Sequence, residues 1–248
     1  MNPILQQFSS FFPIQWLQIL AILAFTGCTV SSEIIPNKHG LMLIENAKQY
    51  DASIKNNPGQ ALVDLSSLGS TLTFDLRYCT DDNFVGQKLY PPLQTTYLRK
   101  DAAEALQKAV QNLKSKGYGL LIWDGYRPYS VTQKMWEIVP DSRYAADPKF
   151  GSGHNRGISI DLSLVDLTSG TPLDMGTGFD HFSDTAHISF KNLPDTILQN
   201  RKILQEAMED AGFKVLETEW WHFYLPDSKS YPLMNLSFKQ IEKNILRR

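Results

Sequence analysis

Five histidines punctuate the 248 residues: His39, His154, His181, His187 and His222. None sits in a His-Glu-x-x-His pattern, so the common helical zinc-protease motif is absent. Two other segments carry residues that could do chemistry. In Ser152-Gly153-His154-Asn155-Arg156-Gly157-Ile158-Ser159-Ile160-Asp161 a histidine in a glycine-rich turn precedes a strand bearing a carboxylate. Asp161 falls on the strand face opposite Ile158, Ile160, Leu162 and Leu164, where an isolated charge is costly unless paired or bound to metal. The second segment, Glu219-Trp220-Trp221-His222, joins a carboxylate, two indoles and an imidazole. Two histidines and an aspartate leave a tetrahedral zinc one open position, as catalysis requires, and a nearby glutamate could take a proton from water there. Residues three apart on an ideal strand face opposite sides, so this scheme places Glu219 at a strand end, a bulge or a bend. Each residue also has a plain structural reading: a strand histidine as a hydrogen-bonded core or surface group, Asp161 as a turn or salt-bridge residue, the tryptophans as core, and Arg127 before Pro128 as a loop brace.

These side chains need elements to position them. Leu72, Phe74, Leu76 and Tyr78 alternate with polar residues, the period of a half-buried strand. A helix follows, with Asp101 and Glu104 as a capping box, Ala102, Leu106, Ala109, Val110 and Leu113 as its apolar face, and Gly117 as its stop. Leu120-Leu121-Ile122-Trp123 reads as a short buried strand ending in Asp124-Gly125-Tyr126-Arg127-Pro128, and a second helix runs from near Ser130 to about Val139. Ile158, Ile160, Leu162 and Leu164 mark another strand. A longer helix spans the region from Pro194 to Ala211, and the aromatic-rich stretch 213–225 reads as one more strand. Without regular βαβ alternation, the pattern favours an α+β fold: a small, mostly antiparallel sheet flanked by helices.

With 42% hydrophobic and 20% charged residues, the chain fits one globular domain plus an appendage. A net charge of −2 leaves no electrostatic footprint for nucleic acid, so a small ligand is favoured. The apolar run from Ile14 to Phe25 is short of the roughly 20 residues that span a bilayer and reads as the core of a secretory signal. Thr26-Gly27-Cys28 resembles a lipobox, with an ordinary cleaved signal or an uncleaved anchor as the alternatives. The expected organisation is a signal over 1–28, with membrane attachment through a lipidated Cys28. A polar linker or N-terminal extension then covers 29–60, and a catalytic domain covers 61–248. That implies export, to the periplasm or as an outer-membrane lipoprotein. Cys79 is left without a disulfide partner and reads as a small buried hydrophobe.

Five blocks recur in a familiar order. They are Arg77-Tyr78-Cys79-Thr80 with Asp82-Asn83-Phe84, then Trp123-Asp124-Gly125-Tyr126-Arg127-Pro128, then the segment from Ser152 to Asp161. Asp174-Met175-Gly176-Thr177 with Phe179-Asp180 follows, and Glu219-Trp220-Trp221-His222 closes the set. Together, over 72–224, they resemble the VanX-type D-alanyl-D-alanine dipeptidases, zinc D-Ala-D-Ala peptidases related in fold to hedgehog signalling domains. The resemblance implies one Zn2+ per chain on His154, Asp161 and His222, with Glu219 as general base and acid and Arg127 facing the developing oxyanion. It puts Ser152 and Asp180 near the substrate, Asp180 as a candidate for holding the free amino group of a small D,D-dipeptide. The chain departs from the pattern at Asn155 (often Ser) and Ser159 (usually Ala), which bears more on substrate fit than on zinc, and at Cys79 (commonly Ala), which a buried thiol can mimic. Two alternatives stand beside this reading. One is a D,D-carboxypeptidase or endopeptidase of peptidoglycan in the same zinc class, against which Asp180 and the Asp174–Thr177 block argue. The other is a non-catalytic, zinc-containing lipoprotein that binds cell-wall fragments, for which Glu219 would have no use.

Overall fold

The computed structural model describes residues 31–55 and 57–244; the expected signal with Cys28, and Asn56, lie outside the described residues. The first half contains β1 (Leu43–Ile44), α1 (Ala47–Lys55), β2 (Leu62–Asp64), β3 (Leu72–Phe74), β4 (Tyr97–Arg99), α2 (Lys100–Ser115) and β5 (Tyr118–Asp124). The second contains α3 (Tyr129–Ile138), α4 (Gly153–Arg156), β6 (Ser159–Asp166), α5 (Asp195–Asp210), β7 (Lys214–Leu216), β8 (Glu219–Tyr224), β9 (Leu233–Met234) and α6 (Phe238–Asn244). A five-stranded sheet in the order β3-β5-β6-β8-β7 forms the frame. Only its β3–β5 pair is parallel; the other three pairings are antiparallel, in keeping with the α+β expectation.

The core follows from the periodicities. Leu106, Ala109 and Leu113 of α2 and Leu204, Ala207 and Met208 of α5 cluster with Leu120 and Ile122 of β5 and Ile160, Leu162 and Leu164 of β6. Each fully buried aliphatic side chain stabilises this layer by roughly 1.5–3 kcal/mol. The opposite face of β6 carries Ser159, Asp161 and Ser163, and these are buried as well. A polar row with no water to solvate it needs internal partners, and the candidate site lies along that row.

Several local expectations are revised. The capping box at Asp101 and Glu104 is not formed: α2 starts two residues earlier, at Lys100 after Arg99, with no side-chain cap. Gly117 does follow its end, with φ +87. The strand expected over 72–78 stops at Phe74, and Arg77–Cys79 form a 3-10 turn in which Arg77 pairs with Asp75 and Asp82. The single strand expected over 213–225 is a hairpin, β7 and β8, turning at Glu217 and Thr218. The stretch read as a linker or extension is not bare chain: β1 pairs with β9, and Ile44 and Tyr50 are buried in a second cluster with Tyr97, Tyr126, Met234 and Phe238. The Tyr50 hydroxyl accepts from the Leu62 amide at 2.6 Å, tying α1 to β2.

Candidate active site

His154 is presented by the short turn of helix α4. Ser152 caps it in a reciprocal box: its hydroxyl accepts from the Asn155 amide at 3.2 Å, while the Asn155 side-chain oxygen accepts from the Ser152 amide at 3.0 Å. Gly157 closes the turn in the left-handed conformation, φ +71, the conformation that glycine adopts at least cost. A side chain at Gly153 would meet the Ser159 hydroxyl at 1.9 Å, so the turn lies directly on β6. The fully buried Asn155 donates to the Arg127 carbonyl at 2.9 Å and to the Thr132 hydroxyl at 2.8 Å, locking this turn to the segment that carries Arg127.

Asp161 and His222 are cross-strand partners on β6 and β8, and Asp124 of β5 pairs with Asp161 on its other side. His154 leans in from α4. Its Nδ1 lies 2.8 Å from the Gly125 carbonyl, which can only accept, so Nδ1 carries the proton and Nε2 offers a lone pair. That Nε2 is 3.2 Å from His222 Nδ1 and 3.3 Å from Asp161 Oδ2, and His222 Nδ1 is 2.9 Å from Asp161 Oδ1. Burial alone would raise the pKa of Asp161, but the two imidazoles outweigh it and hold the carboxyl below the usual range. For donors about 2.0–2.1 Å from one tetrahedral ion, neighbouring ligand atoms are about 3.3 Å apart. The donor triangle therefore fits a zinc-sized ion with two neutral nitrogens and one carboxylate. Among the described residues this is the only group of three or more potential ligands found so close together.

Glu219 opens β8. The β7–β8 register passes from Val215 opposite Phe223 to Leu216 opposite Glu219, so β8 carries extra residues here and its alternation is broken. That irregularity supplies the bend needed for Glu219 and His222 to line one cavity. Burial lifts the Glu219 carboxyl above its ordinary range, with Asp161 adding to the effect and the imidazoles opposing it. Among the described residues nothing hydrogen-bonds this carboxylate.

Arg127 is nearly buried and held by Asp124, whose Oδ2 accepts from Nε at 2.9 Å and Nη2 at 2.7 Å. Burial would lower the guanidinium's pKa, but Asp124 keeps it well above its usual value. The guanidinium also lies over the Tyr78 ring, 5.1 Å from its centroid, and its Nη1 has no protein partner among the described residues. Asp124 has the Tyr90 hydroxyl at 2.8 Å and the Gly125 amide at 3.0 Å on its other oxygen. Asp180 stands in the left-handed region, φ +57, and accepts from the Tyr78 hydroxyl at 3.0 Å. Burial pushes its pKa well up, and neighbouring Asp161 pushes it further. No cation lies within ion-pair distance of Asp180 among the described residues.

All seven residues singled out from the sequence, Arg127, Ser152, His154, Asp161, Asp180, Glu219 and His222, line one cavity of about 210 Å³. That is below the roughly 300–1,000 Å³ of pockets for drug-sized ligands, and suits a very small substrate. Trp220 and Trp221 take the structural role: both are buried in the core beside the site. His181 and His187 stand apart from the ligand triangle. Sequence reasoning missed the work of Asp124, Tyr78 and Asn155. Asp124 was visible in its block only as a neighbour of Arg127, and no periodicity marks it as the ion-pair partner.

Comparison with known proteins identifies the family. Residues 59–242 match the family described as D-ala-D-ala dipeptidase. A D-alanyl-D-alanine dipeptidase of Escherichia coli (strain K12) is 39% identical over 173 residues, covering 70% of this chain and 89% of the relative. Relatives of the same description from Enterococcus faecalis (strain ATCC 700802 / V583) and Streptomyces coelicolor (strain ATCC BAA-471 / A3(2) / M145) are each 33% identical. Those matches cover 64% and 66% of this chain, and 88% and 90% of the relatives.

Proposed function

The chain belongs to the D-ala-D-ala dipeptidase family and is a metallopeptidase, and from that premise we propose that it hydrolyses free D-alanyl-D-alanine to two D-alanines with one zinc ion on His154, Asp161 and His222. The observation that carries the reading is the convergence of three ligand atoms, an unbonded glutamate and a buried arginine on one small cavity. When bound, zinc would supply Lewis acidity, polarising a carbonyl and lowering the pKa of a water molecule to about 7.

The chain's own residues do the rest. Glu219 takes the proton of the attacking water as its oxygen bonds to the carbonyl carbon, then delivers a proton to the amide nitrogen as the C–N bond breaks. Burial raises its pKa, which makes it a stronger base than an ordinary glutamate, as a group that takes up and then returns a proton requires. Arg127, held by Asp124, directs its remaining Nη1 toward the oxygen that gains charge. Interactions of this kind, when removed, cost on the order of 100- to 1,000-fold in rate. Asp180 receives the substrate's ammonium group: its buried carboxyl has a raised pKa and no cation within ion-pair distance among the described residues, and a bound ammonium favours its ionised form, which an N-acylated peptide cannot do. Ser152 already serves as the cap of α4, so its substitution disturbs the His154 turn as well as any substrate contact.

Export remains part of the proposal, supported by the apolar run ending at Thr26-Gly27-Cys28. Metabolic labelling with a palmitate analogue should mark the wild-type chain and not Cys28→Ala; an unlabelled wild type removes the lipoprotein assignment. The activity is tested by D-alanine release from D-Ala-D-Ala and from its N-acetyl derivative. Turnover of the free dipeptide is the expected result. Turnover of the acylated compound alone would point to a carboxypeptidase and defeat the proposal.

A further inference from the structure

Between β6 and α5 the chain runs through a long loop whose only regular piece is a 3-10 turn over Asp184–Ala186. Asp180 sits at its middle, in the left-handed conformation, which aspartate tolerates better than most residues but holds less readily than glycine. Its single hydrogen bond, from Tyr78, orients the carboxylate but does not fix the backbone. The brace comes from helix α5. Arg201 is buried there, and its guanidinium donates to three carbonyls of the loop: Met175 at 2.7 Å through Nε, Thr185 at 2.9 Å through Nη2, and His187 at 3.3 Å through Nη1. Met175 and Thr185 lie five residues before and five after Asp180, so one side chain ties both arms of the loop. No carboxylate lies within ion-pair distance of Arg201 among the described residues. A buried cation satisfied by loop carbonyls alone is committed to the loop's shape.

The same guanidinium lies over the Trp220 ring, 5.7 Å from its centroid, and the Trp220 indole N–H donates to the Thr177 hydroxyl at 2.7 Å. Trp220 is the neighbour of Glu219 on β8, the strand that also bears His222. The brace thus links the loop to the strand that carries the base and a metal ligand. We infer that Arg201 is a positioning residue that sets where Asp180 stands relative to Glu219 and His222, and so where the substrate's ammonium group is held. This rests on the reading of Asp180 as the ammonium's partner. Only an arginine spans both arms of the loop, because its planar fork offers donors in several directions, whereas lysine offers one compact charge.

The test compares kcat/KM for D-Ala-D-Ala with that for N-propionyl-D-alanine, which has the same amide but no amino group, in zinc-loaded Arg201→Gln and Arg201→Lys. Misplacing a binding group by about 1 Å can cost on the order of 100-fold. The ratio between the two substrates should therefore fall by about 10- to 100-fold, through a raised KM for the dipeptide, while the amine-free substrate changes little and zinc content is kept. Equal losses on both substrates, or no change in the ratio, would overturn the inference. Asp180→Ala separates it from its premise. If that variant keeps the wild-type ratio, the reading of Asp180 fails; if it collapses the ratio and the Arg201 variants do not, only the role of Arg201 fails. Should neither Arg201 variant fold, exchange of the Arg201 Nε–H is followed by NMR in the wild type. It should slow on binding a reduced-amide dipeptide analogue and not on binding its amine-free counterpart; identical exchange in both overturns the proposal.

Discussion

Asp124→Asn changes one atom in the least accessible part of the site, and its consequence can be worked out from the contacts. The two carboxylate oxygens divide their labour: Oδ1 accepts from Tyr90 and the Gly125 amide, and Oδ2 accepts from Nε and Nη2 of Arg127. Asparagine offers one acceptor and one donor group. With the amide nitrogen toward Arg127, donors face donors and a guanidinium stays buried without its counter-charge. With the nitrogen toward Oδ1's partners, the Gly125 amide loses its acceptor. Breaking a buried ion pair from one side costs about 3–5 kcal/mol, which for a chain of this size lowers Tm by roughly 6–20 °C. Released from Asp124, Arg127 no longer aims at the oxygen that gains charge, and kcat should fall by about 100- to 1,000-fold. Zinc content should stay near that of the wild type, because Asp124 approaches His154 only at Nδ1, 3.7 Å away, and not at the nitrogen that faces Asp161 and His222. The assay is steady-state D-alanine release at matched zinc content, beside a thermal melt. A variant within a few-fold of wild-type kcat and with an unchanged melt would refute the claim that Asp124 holds Arg127 in place.

Further predictions follow from single contacts. Glu219→Gln keeps the shape of the cavity but cannot take a proton, so hydrolysis should drop by about 100- to 10,000-fold with zinc retained; near-normal turnover removes Glu219 as the base. Ser159→Ala removes a buried hydroxyl that has no hydrogen-bond partner among the described residues and should raise stability by about 1 kcal/mol, read as a higher denaturant midpoint; a lower midpoint would mean that the hydroxyl is satisfied in solution. Asn155→Ala empties the two bonds that lock the His154 turn to Arg127 and Thr132, and should lower both zinc affinity and kcat; unchanged zinc affinity would show that the turn needs no such lock.

Much of this was legible in the residues because two kinds of signal agree. The alternation of Ile160, Leu162 and Leu164 with Ser159, Asp161 and Ser163 marked both a strand and a polar row upon it, and the row places Asp161 beside the imidazoles of His154 and His222. The apolar stripe of α2 marked the helix that covers the other face. What periodicity could not convey was tertiary. The stretch at 72–78 alternates throughout, yet pairing ends at Phe74, where the chain turns into the Arg77–Cys79 helix and Arg77 finds Asp75 and Asp82. The aromatic run 213–225 hides a hairpin because its turn, Glu217 and Thr218, carries neither glycine nor proline. The segment before residue 61 is polar enough to pass for a tether, and only the burial of Ile44 and Tyr50 shows that part of it is packed against the fold. Asp124 and Arg201 were opaque for the same reason: a buried charge is recognised by what it touches, and those partners are distant or unmarked in sequence.

The most direct test of the metal assignment is a titration of metal-stripped protein with zinc, followed by D-alanine release. Activity on D-Ala-D-Ala should rise from baseline and level off at a single equivalent, and Asp161→Ala should show no such saturation. Full activity in the stripped protein, or a rise that is the same with and without Asp161, would contradict the three-ligand site on which the mechanism stands.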